Sequence, residues 1–369
     1  MPSFLETAAE EKLVLTYWFD PVPNSAPYTV TVQLTGSRIG VEGRRQAGDQ
    51  FVHEETVEVA QPDGGPVSIT ARIGGINPGE WEVTARTAGP SRAERRRKGG
   101  PRTATPQVSL RLARWSLGGR LREAAGGPVK TTLAPFAMVP GLLPGVWAGT
   151  GTLGVLLGLA LQGFVAHQVR LPVFQSSAVA VLAILVGMAG AKAWFVVLHR
   201  RERLWNGWCI QGLMTGVVIV LLGGAFIVHL PIGTLLDTAA PGLLIGMAVG
   251  RVGCFFAGCC VGRPTRAWWG VWASDQRIGV RRIPTQFMES ALALVAGLAS
   301  LFVVLTFGTA NGAIFVATAA AYTLVRQAIL QLRAERRKSL LGPPLTAAAA
   351  AVVLVADLAL LGFTGGRGL

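Results

Sequence analysis

Cysteine and histidine are both scarce in this chain, with four of each in 369 residues. The cysteines, Cys209, Cys254, Cys259 and Cys260, all fall in one apolar part of the sequence. A small secreted protein held together by disulfides has more cysteines spread along its length, so a disulfide framework is excluded. The first residues also lack the apolar segment of a secretory signal peptide, and we expect none.

Negative charge is in short supply too, with 20 Asp and Glu against 34 Lys and Arg, a formal net charge of +14. A basic excess suits either nucleic-acid binding or a membrane protein with basic cytoplasmic loops. No recognition-helix pattern or basic, aromatic RNA-binding surface is visible, so we expect no nucleic-acid partner. The mean hydropathy of +0.46 favours the membrane alternative.

Residues 1–90 carry the pattern of a small β-sandwich. Short segments rich in Val, Ile, Thr and aromatic residues alternate with a period of two, which predicts strands. They lie at 12–19, 28–36, 50–59, 67–74 and 80–87. The stretch 77–83 weakly resembles the last hairpin of fibronectin type III or immunoglobulin-like modules. His53, beside Glu54 and Glu55, is expected on a solvated strand face.

Residues 91–133 are basic and lead into the apolar part of the chain. A Gly- and Pro-containing linker is predicted over 91–107. Residues 108–123 interleave leucines and Trp115 with arginines, which leaves two alternatives: an interfacial helix on anionic lipid, or a plain basic linker.

From residue 134 to residue 369 the sequence predicts an all-α polytopic membrane domain of about seven transmembrane helices. About 20 apolar residues cross about 30 Å of hydrocarbon as a helix. Candidate spans lie near 141–166, 176–198, 208–229, 237–258, 285–307, 312–332 and 344–363. The longest loop between spans, 261–284, contains Trp268, Trp269 and Trp272, which fit an interfacial aromatic belt.

Arg251 lies at the end of an apolar stretch in the glycine-rich segment 250–265. A guanidinium at membrane depth costs at least a few kcal/mol, and such residues usually serve substrate or ion handling. Glycines let a helix or a headgroup approach the backbone closely. Because guanidinium forks match phosphate oxygens, Arg251 predicts a lipid-phosphate or anion site.

Four further ionisable residues lie within or beside the spans: Lys192, Asp237, Glu289 and Arg326. Tyr322 precedes Arg326 by four residues, which places both on one helix face. Ion pairs that only hold helices together, such as Asp237–Lys192 or Glu289–Arg326, are the structural alternative. The excess of cations favours an anionic ligand.

Residues 140–335 resemble the bacterial prolipoprotein diacylglyceryl transferases. The signature of that family, Gly-Arg-x-Gly-Asn-Phe-x-Asn-Gly-Glu-x-x-Gly-Arg, aligns without gaps with residues 250–263. Other matches are Gly190 to Lys192, Trp208 to Gly212 with Gly216, Asp237 to Pro241 with Gly246, Pro284 to Glu289, and Gly312, Tyr322, Arg326 and Arg333. The resemblance implies a plasma-membrane enzyme of lipoprotein biosynthesis, which moves a diacylglyceryl group from phosphatidylglycerol to a prolipoprotein cysteine.

The resemblance also implies a set of site residues. Catalytic roles are expected for Arg251, Arg326, Tyr322 and Gln211. Substrate-binding roles are expected for Gly250, Gly253, Cys254, Gly262, Gln286, Glu289, Lys192 and Asp237. The expected partners are phosphatidylglycerol or another anionic phospholipid, a prolipoprotein or other thiol acceptor, and the lipid bilayer; no cofactor and no metal are expected.

The sequence departs from the family pattern at several positions. Gln211 replaces a histidine, Cys254 an asparagine, Cys259 a glutamate and Ala148 a tyrosine. Because glutamine cannot act as a general base, a second interpretation is a non-catalytic membrane protein that binds anionic lipid while its N-terminal module binds a partner. A third is a redox protein using the cysteines; their spacing is poor for a metal, and buried thiols filling helix interfaces are the plain alternative.

Charge asymmetry predicts the orientation in the membrane. The segment before the first span and the loops at 199–203, 261–284 and 333–338 are basic, whereas the alternate loops carry almost no charge. This places the N-terminal module in the cytoplasm. The resemblance implies the opposite orientation, and the conflict stays open at this point.

Overall fold

The computed structural model describes residues 13–23, 27–59, 62–88, 108, 110–114, 122–125, 129–132, 141–143, 145–198, 210–335 and 341–365. The described residues form two compact units. One contains the helices of 145–254 and 285–365, and the other combines the N-terminal strands with residues 255–284. The loop that the sequence assigned to the membrane domain thus belongs with the N-terminal strands.

The second unit consists of two antiparallel sheets, which confirms the predicted N-terminal β-sandwich. The strands are β1 (Leu13–Phe19), β2 (Tyr28–Arg38), β3 (Gln50–Val59), β4 (Val67–Ile73), β5 (Glu80–Ala88), β6 (Arg111–Arg114), β7 (Arg122–Ala125), β8 (Val129–Thr132), β9 (Val271–Ser274) and β10 (Ile278–Arg282). One sheet has the order β7-β6-β1-β4-β10-β9 and the other β3-β2-β5-β8. Side chains from β1 to β5, including the fully buried Phe19 and Trp81, form their common core.

The described part of segment 108–123 forms strands. Residues 111–114 pair with β1 and with β7, and residues 115–121 lie outside the described residues. For the described part this corrects the interfacial helix that was one of two alternatives. The physical reason lies in the pattern, because Leu110, Arg111 and Leu112 alternate between apolar and basic with the period of a strand.

A hairpin from the loop between two membrane helices completes the larger sheet. Strand β10 pairs with β4 at Ile278↔Ile69 and Gly279↔Ser68. The ring of Trp272 stacks on Trp18 with centroids 5.1 Å apart, and its indole N–H donates to the Pro66 carbonyl at 3.3 Å. Trp272 therefore packs within this unit and is not part of the expected aromatic belt.

The helical unit contains the helices α1 (Val146–Gln168), α2 (Val173–Leu198), α3 (Ile210–Ile227), α4 (Ile232–Phe256), α5 (Thr285–Phe307), α6 (Ala313–Gln331) and α7 (Gly342–Gly365). Six are long and apolar enough to cross a membrane, and α3 contributes a shorter apolar stretch, Thr215–Ile227. The chain is thus a multi-pass membrane protein, as its apolar runs predicted.

The shared sheet supports α3 as a further span. Strands before α1 and strands after α4 lie in one sheet, and one sheet lies on one side of a bilayer. An even number of crossings must therefore separate them. Helices α1, α2 and α4 supply three, so α3 supplies the fourth, and the described helices agree with about seven spans.

Paired glycines bring the membrane helices into backbone contact. A Cβ on Gly154 or Gly158 of α1 would lie 2.3 or 2.7 Å from the carbonyl oxygen of Gly246 or Gly242 of α4. Only glycine allows this approach. Small residues spaced by four let helices pack tightly where no hydrophobic effect drives association. This contact sets the position of α4, which carries Arg251.

Candidate functional site

Three arginines converge on one buried carboxylate in the helical unit. The Glu289 side chain is 1% exposed, and its Oε2 lies 3.1 Å from Arg251 Nη2 and 3.6 Å from Arg326 Nε. Arg333 Nη2 forms a hydrogen-bonded ion pair with Glu289 Oε1. Glu289 and these arginines are called the arginine cluster below.

The cluster forms where the C-terminal ends of α4 and α6 meet the N-terminal end of α5. Arg251 lies five residues before the end of α4, Glu289 four after the start of α5, and Arg326 five before the end of α6. The Ser290 hydroxyl donates to the Ala248 carbonyl at 2.7 Å, which fixes α5 against α4 beside the cluster. The site therefore lies at the end of these helices from which loop 257–284 emerges.

The cluster is cationic and only partly enclosed. Three arginines against one glutamate give a formal charge of +2. Side-chain exposure rises from 11% for Arg333 to 17% for Arg251 and 33% for Arg326, so the three arginines are enclosed to different degrees. Among the described residues no atom lies within 4 Å of where a Cβ on Gly250 would be. A ligand beside Arg251 thus meets open space at Gly250.

Tyr322 lies on the inner side of the cluster. Its side chain is 8% exposed and packs with Leu244, Ala248 and Ala293. Its buried hydroxyl lies within range of the charges of Arg251, Arg326 and Glu289, and Arg251 is also its side-chain hydrogen-bonding neighbour. A buried hydroxyl of this kind can orient a ligand oxygen by donating one hydrogen bond.

Several sequence-predicted residues surround the cluster. Cys254 is buried one helical turn after Arg251, and Gln286 is buried one turn before Glu289. Gly253 has a packing role, because a Cβ there would lie 2.0 Å from the Thr150 hydroxyl oxygen of α1.

Gly262 belongs to the sheet-containing unit, where its role is local packing. A Cβ at this position would lie 2.1 Å from the Ile283 carbonyl oxygen. Its own carbonyl accepts a hydrogen bond from Arg282 Nη1 at 3.3 Å, and Arg282 also donates to Asp275 Oδ2 at 2.9 Å. The buried Arg282 thus holds the two ends of the loop together, and burial lowers its pKa, opposed by Asp275.

Asp237 lies at the other end of α4, 14 residues before Arg251, or about 21 Å at 1.5 Å per residue. Its carboxylate accepts hydrogen bonds from the backbone N–H groups of Ala310, Gly312 and Phe315, at 2.7, 3.0 and 3.0 Å. Carboxylates stabilise helix N-termini in this way. The structure therefore does not bring Asp237 to the cluster, but places it where it caps α6.

The remaining predicted residues are not brought to the cluster by any described contact. Lys192 is half-buried on α2, near the close approach of Gly190 to α3. Gln211 lies in the first turn of α3 and its side chain is outside the described atoms, as is Cys209 altogether. Cys259 and Cys260 belong to the sheet-containing unit. Among the described residues no group of three His, Cys, Asp or Glu side chains could hold a metal.

Sequence reasoning left Arg333 out of the site. The signal was present, because Arg333 follows Arg326 by seven residues and therefore returns to the same helix face. Its position after the end of α6 hid its connection to Glu289.

Comparison with known proteins places the helical unit in context. The family model described as prolipoprotein diacylglyceryl transferase matches residues 146–363. The chain is similar to the phosphatidylglycerol–prolipoprotein diacylglyceryl transferase of Clostridium tetani, with 30% identity over 123 residues, or 30% of this chain and 49% of that protein. It is similar to the Dehalococcoides mccartyi (strain 195) enzyme of the same name, with 38% identity over 102 residues, or 27% and 39%. The Trichormus variabilis enzyme of that name is 27% identical over 133 residues, or 33% and 47%. In each case the chain spans half or less of the length of the curated relative it matches.

Proposed function

Because the chain belongs to the prolipoprotein diacylglyceryl transferase family, we propose that it is a plasma-membrane transferase acting on an anionic glycerophospholipid. The donor is phosphatidylglycerol or a lipid of the same charge, and the acceptor is a prolipoprotein cysteine thiol or a related nucleophile. The single observation that carries the proposal is the arginine cluster, which combines a signature residue with two arginines from another part of the chain.

The charge of the cluster suits the reaction better than it suits the resting substrate. A phosphodiester headgroup carries one negative charge, whereas the cluster has a formal charge of +2. When the diacylglyceryl carbon leaves the phosphodiester oxygen, the departing glycerol phosphate becomes a monoester and gains a second negative charge. Preorganised donors aimed at developing charge are usually the largest single contribution to catalysis. Arg251, Arg326 and Arg333 can supply this stabilisation.

The bond changes follow directly. The acceptor sulfur forms a C–S bond to the glyceryl carbon while the C–O bond to phosphate breaks, and the electron pair leaves with the phosphate oxygen. The thiol proton must leave before or during attack. Gln211 cannot accept it, and we propose that the acceptor reacts as a thiolate whose proton has passed to solvent. Tyr322, Gln286 and Glu289 would orient the lipid and the guanidinium groups.

The side of the membrane on which this occurs follows from the loop charges. The N-terminal strands and the loop 257–284 share one sheet and hence lie on one side of the membrane. The segment before α1 and this loop are both rich in arginine. We propose that this side is the cytoplasm, against the orientation that the family resemblance implies. Labelling of Val52→Cys, on an exposed strand position, with a membrane-impermeant maleimide in intact cells tests the placement. Labelling only after permeabilisation, above the level of the parent chain, is expected; equal labelling in intact cells would overturn it.

The proposed activity is tested by transfer of labelled diacylglyceryl from phosphatidylglycerol to a lipobox peptide by the purified full-length protein. Arg251→Ala should abolish transfer, whereas Arg170→Ala, which removes the same charge from an exposed turn, should retain it. Gln211→His should increase the rate if the missing base limits it. Phosphatidylglycerol binding that depends on Arg251 without any transfer, in the parent and in Gln211→His, would instead identify a non-catalytic lipid-binding protein.

A further inference from the structure

The loop that completes the larger sheet exposes two large aromatic side chains. Trp268 is 89% exposed and Trp269 44%, and the neighbouring Val271 begins the edge strand β9. The ring of Trp272, by contrast, is stacked against Trp18. A soluble surface seldom displays two adjacent tryptophans, and contiguous exposed apolar groups mark interaction sites.

The backbone holds these tryptophans in a fixed turn. The Gly270 N–H donates to the Ala267 carbonyl at 2.9 Å, which closes the turn that carries both side chains. The Thr265 N–H donates to the Arg281 carbonyl at 3.0 Å, so the segment before the turn lies along β10. The tryptophans are therefore presented by a defined local structure.

Cations flank the turn. A Cβ on Gly270 would lie 2.9 Å from Cγ of Arg281, so the stem of this exposed arginine lies against the turn. Arg266 precedes the tryptophans, is 51% exposed, and lies 3.5 Å from Asp63, a solvated pair worth little. Residues 261–284 contain five arginines and one aspartate, but Arg277 is paired with Glu55 and the buried Arg282 with Asp275, so Arg266 and Arg281 supply the positive charge beside the turn. The patch thus combines indole rings with positive charge.

The covalent structure limits what can cover this patch. The loop is joined at one end to α4 and at the other to α5, both long and apolar enough to span the membrane. Both ends of the loop are therefore tied to the bilayer by the helices that carry them. Indole rings prefer the headgroup level, and each basic residue near an anionic surface contributes attraction. We infer that Trp268, Trp269, Arg266 and Arg281 form a docking surface for the anionic headgroup layer of the bilayer, separate from the arginine cluster.

A photo-crosslinking experiment on the full-length protein tests this surface. p-Benzoylphenylalanine replaces Trp268 in one variant and, as the control, Val52 of β3 in another; Val52 is 69% exposed in the same unit. Both variants are placed in nanodiscs of phosphatidylcholine alone or of phosphatidylcholine with phosphatidylglycerol, and lipid adducts are quantified by mass spectrometry. The surface predicts abundant adducts at position 268 and background levels at position 52. Equal adduct yields at the two positions would overturn it.

A second part of the experiment tests the contribution of positive charge to the docking surface. With mixed nanodiscs, the fraction of phosphatidylglycerol among the adducts at position 268 should exceed its fraction in the bilayer. Arg266→Glu and, separately, Arg281→Gln should each lower this enrichment, by up to about fivefold per arginine removed. Adducts that match the bulk lipid composition in all variants would contradict an anionic docking surface. Because the readout needs no transfer, the experiment is repeated in an Arg251→Ala background, so that failure of the docking surface is distinguished from failure of the proposed activity.

Discussion

Glu289 Oε2 lies 3.1 Å from Arg251 Nη2 and thereby joins the start of α5 to the end of α4. Each residue comes from a different motif, one from the signature at 250–263 and one from the segment 284–289. A 1%-exposed carboxylate that contacts three guanidinium groups is positioned to hold them in place. The relationship assigns Glu289 as a positioning residue, which acts through the arginines.

Replacing Glu289 with Gln tests whether the residue positions the arginines, as distinct from changing their attraction for the anionic lipid. The cluster charge rises from +2 to +3, so the KM for phosphatidylglycerol should not increase. The guanidinium groups lose the negative charge and one of the two acceptor oxygens that hold them, and kcat should fall by about 10- to 100-fold, as small misplacements of catalytic groups do. Steady-state kinetics with a lipobox peptide measure both parameters. The kcat of Glu289→Asp, which keeps the negative charge, should lie between the kcat values of the parent and of Glu289→Gln. A parental kcat in Glu289→Gln would contradict the assignment.

The planar guanidinium group of Arg333 should contribute to activity beyond its positive charge. Its Nη2 is paired with Glu289 Oε1, and 11% of its side chain is exposed. Arg333→Ala should lower kcat/KM by about 30-fold or more, since removing a charged partner costs about 2 kcal/mol or more in a buried network. Arg333→Lys should recover only part of the loss because an ammonium lacks the planar fork. The matched comparison is Arg170→Ala; equal effects of the two alanine variants would remove Arg333 from the site.

Asp237 should affect folding and not lipid recognition. Its carboxylate accepts three backbone hydrogen bonds at the start of α6, and bonds to charged groups contribute about 1.5–3 kcal/mol each. Asp237→Ala should therefore lower the melting temperature in detergent by several degrees. The KM for phosphatidylglycerol of the folded fraction should stay at the parental value. A raised KM with an unchanged melting temperature would contradict this and support the substrate-binding role implied by the family resemblance.

The sandwich should lose stability in acid through Asp49. Hydrogen bonds from the Asn77 side chain and the Gln46 backbone N–H, together with the charge of Arg38, hold the pKa of this buried carboxyl below its usual value. Since the folded pKa lies below the unfolded one, the contribution is complete above about pH 4 and disappears as the pH falls through the folded pKa. Hydrogen-exchange protection of peptides from β5 should fall between pH 5 and pH 3. In Asp49→Asn, protection should be lower at pH 5 and should depend less on pH; a parental pH profile would contradict this role.

The spans and the signature arginine were predictable because they depend on local sequence. Seven apolar runs have the length of membrane helices, and Arg251 and Arg326 interrupt two of them. Sequence also suggested the pairing of Glu289 with Arg326, although as a purely structural alternative. The sequence did not predict that three arginines converge on Glu289, because this convergence depends on how α4, α5 and α6 pack.

The loop 261–284 shows why the remaining features could not be predicted. Its strands, β9 and β10, are four and five residues long, and β10 pairs with β4, about 200 positions earlier in the chain. Short strands carry little local signal, and a pairing at such separation has none. The three tryptophans therefore looked alike in the sequence. Only the structure separates Trp272, stacked on Trp18, from the exposed Trp268 and Trp269.

The central claim is that the arginine cluster stabilises a departing glycerol phosphate. The most direct measurement is the stoichiometry of glycerol phosphate released to lipobox peptide modified, in single turnovers of the purified protein with phosphatidylglycerol. One glycerol phosphate per diacylglyceryl-modified peptide, with both products lost in Arg251→Ala and retained in Arg170→Ala, is the predicted result. Peptide that stays unmodified while phosphatidylglycerol is bound through Arg251 would contradict the account.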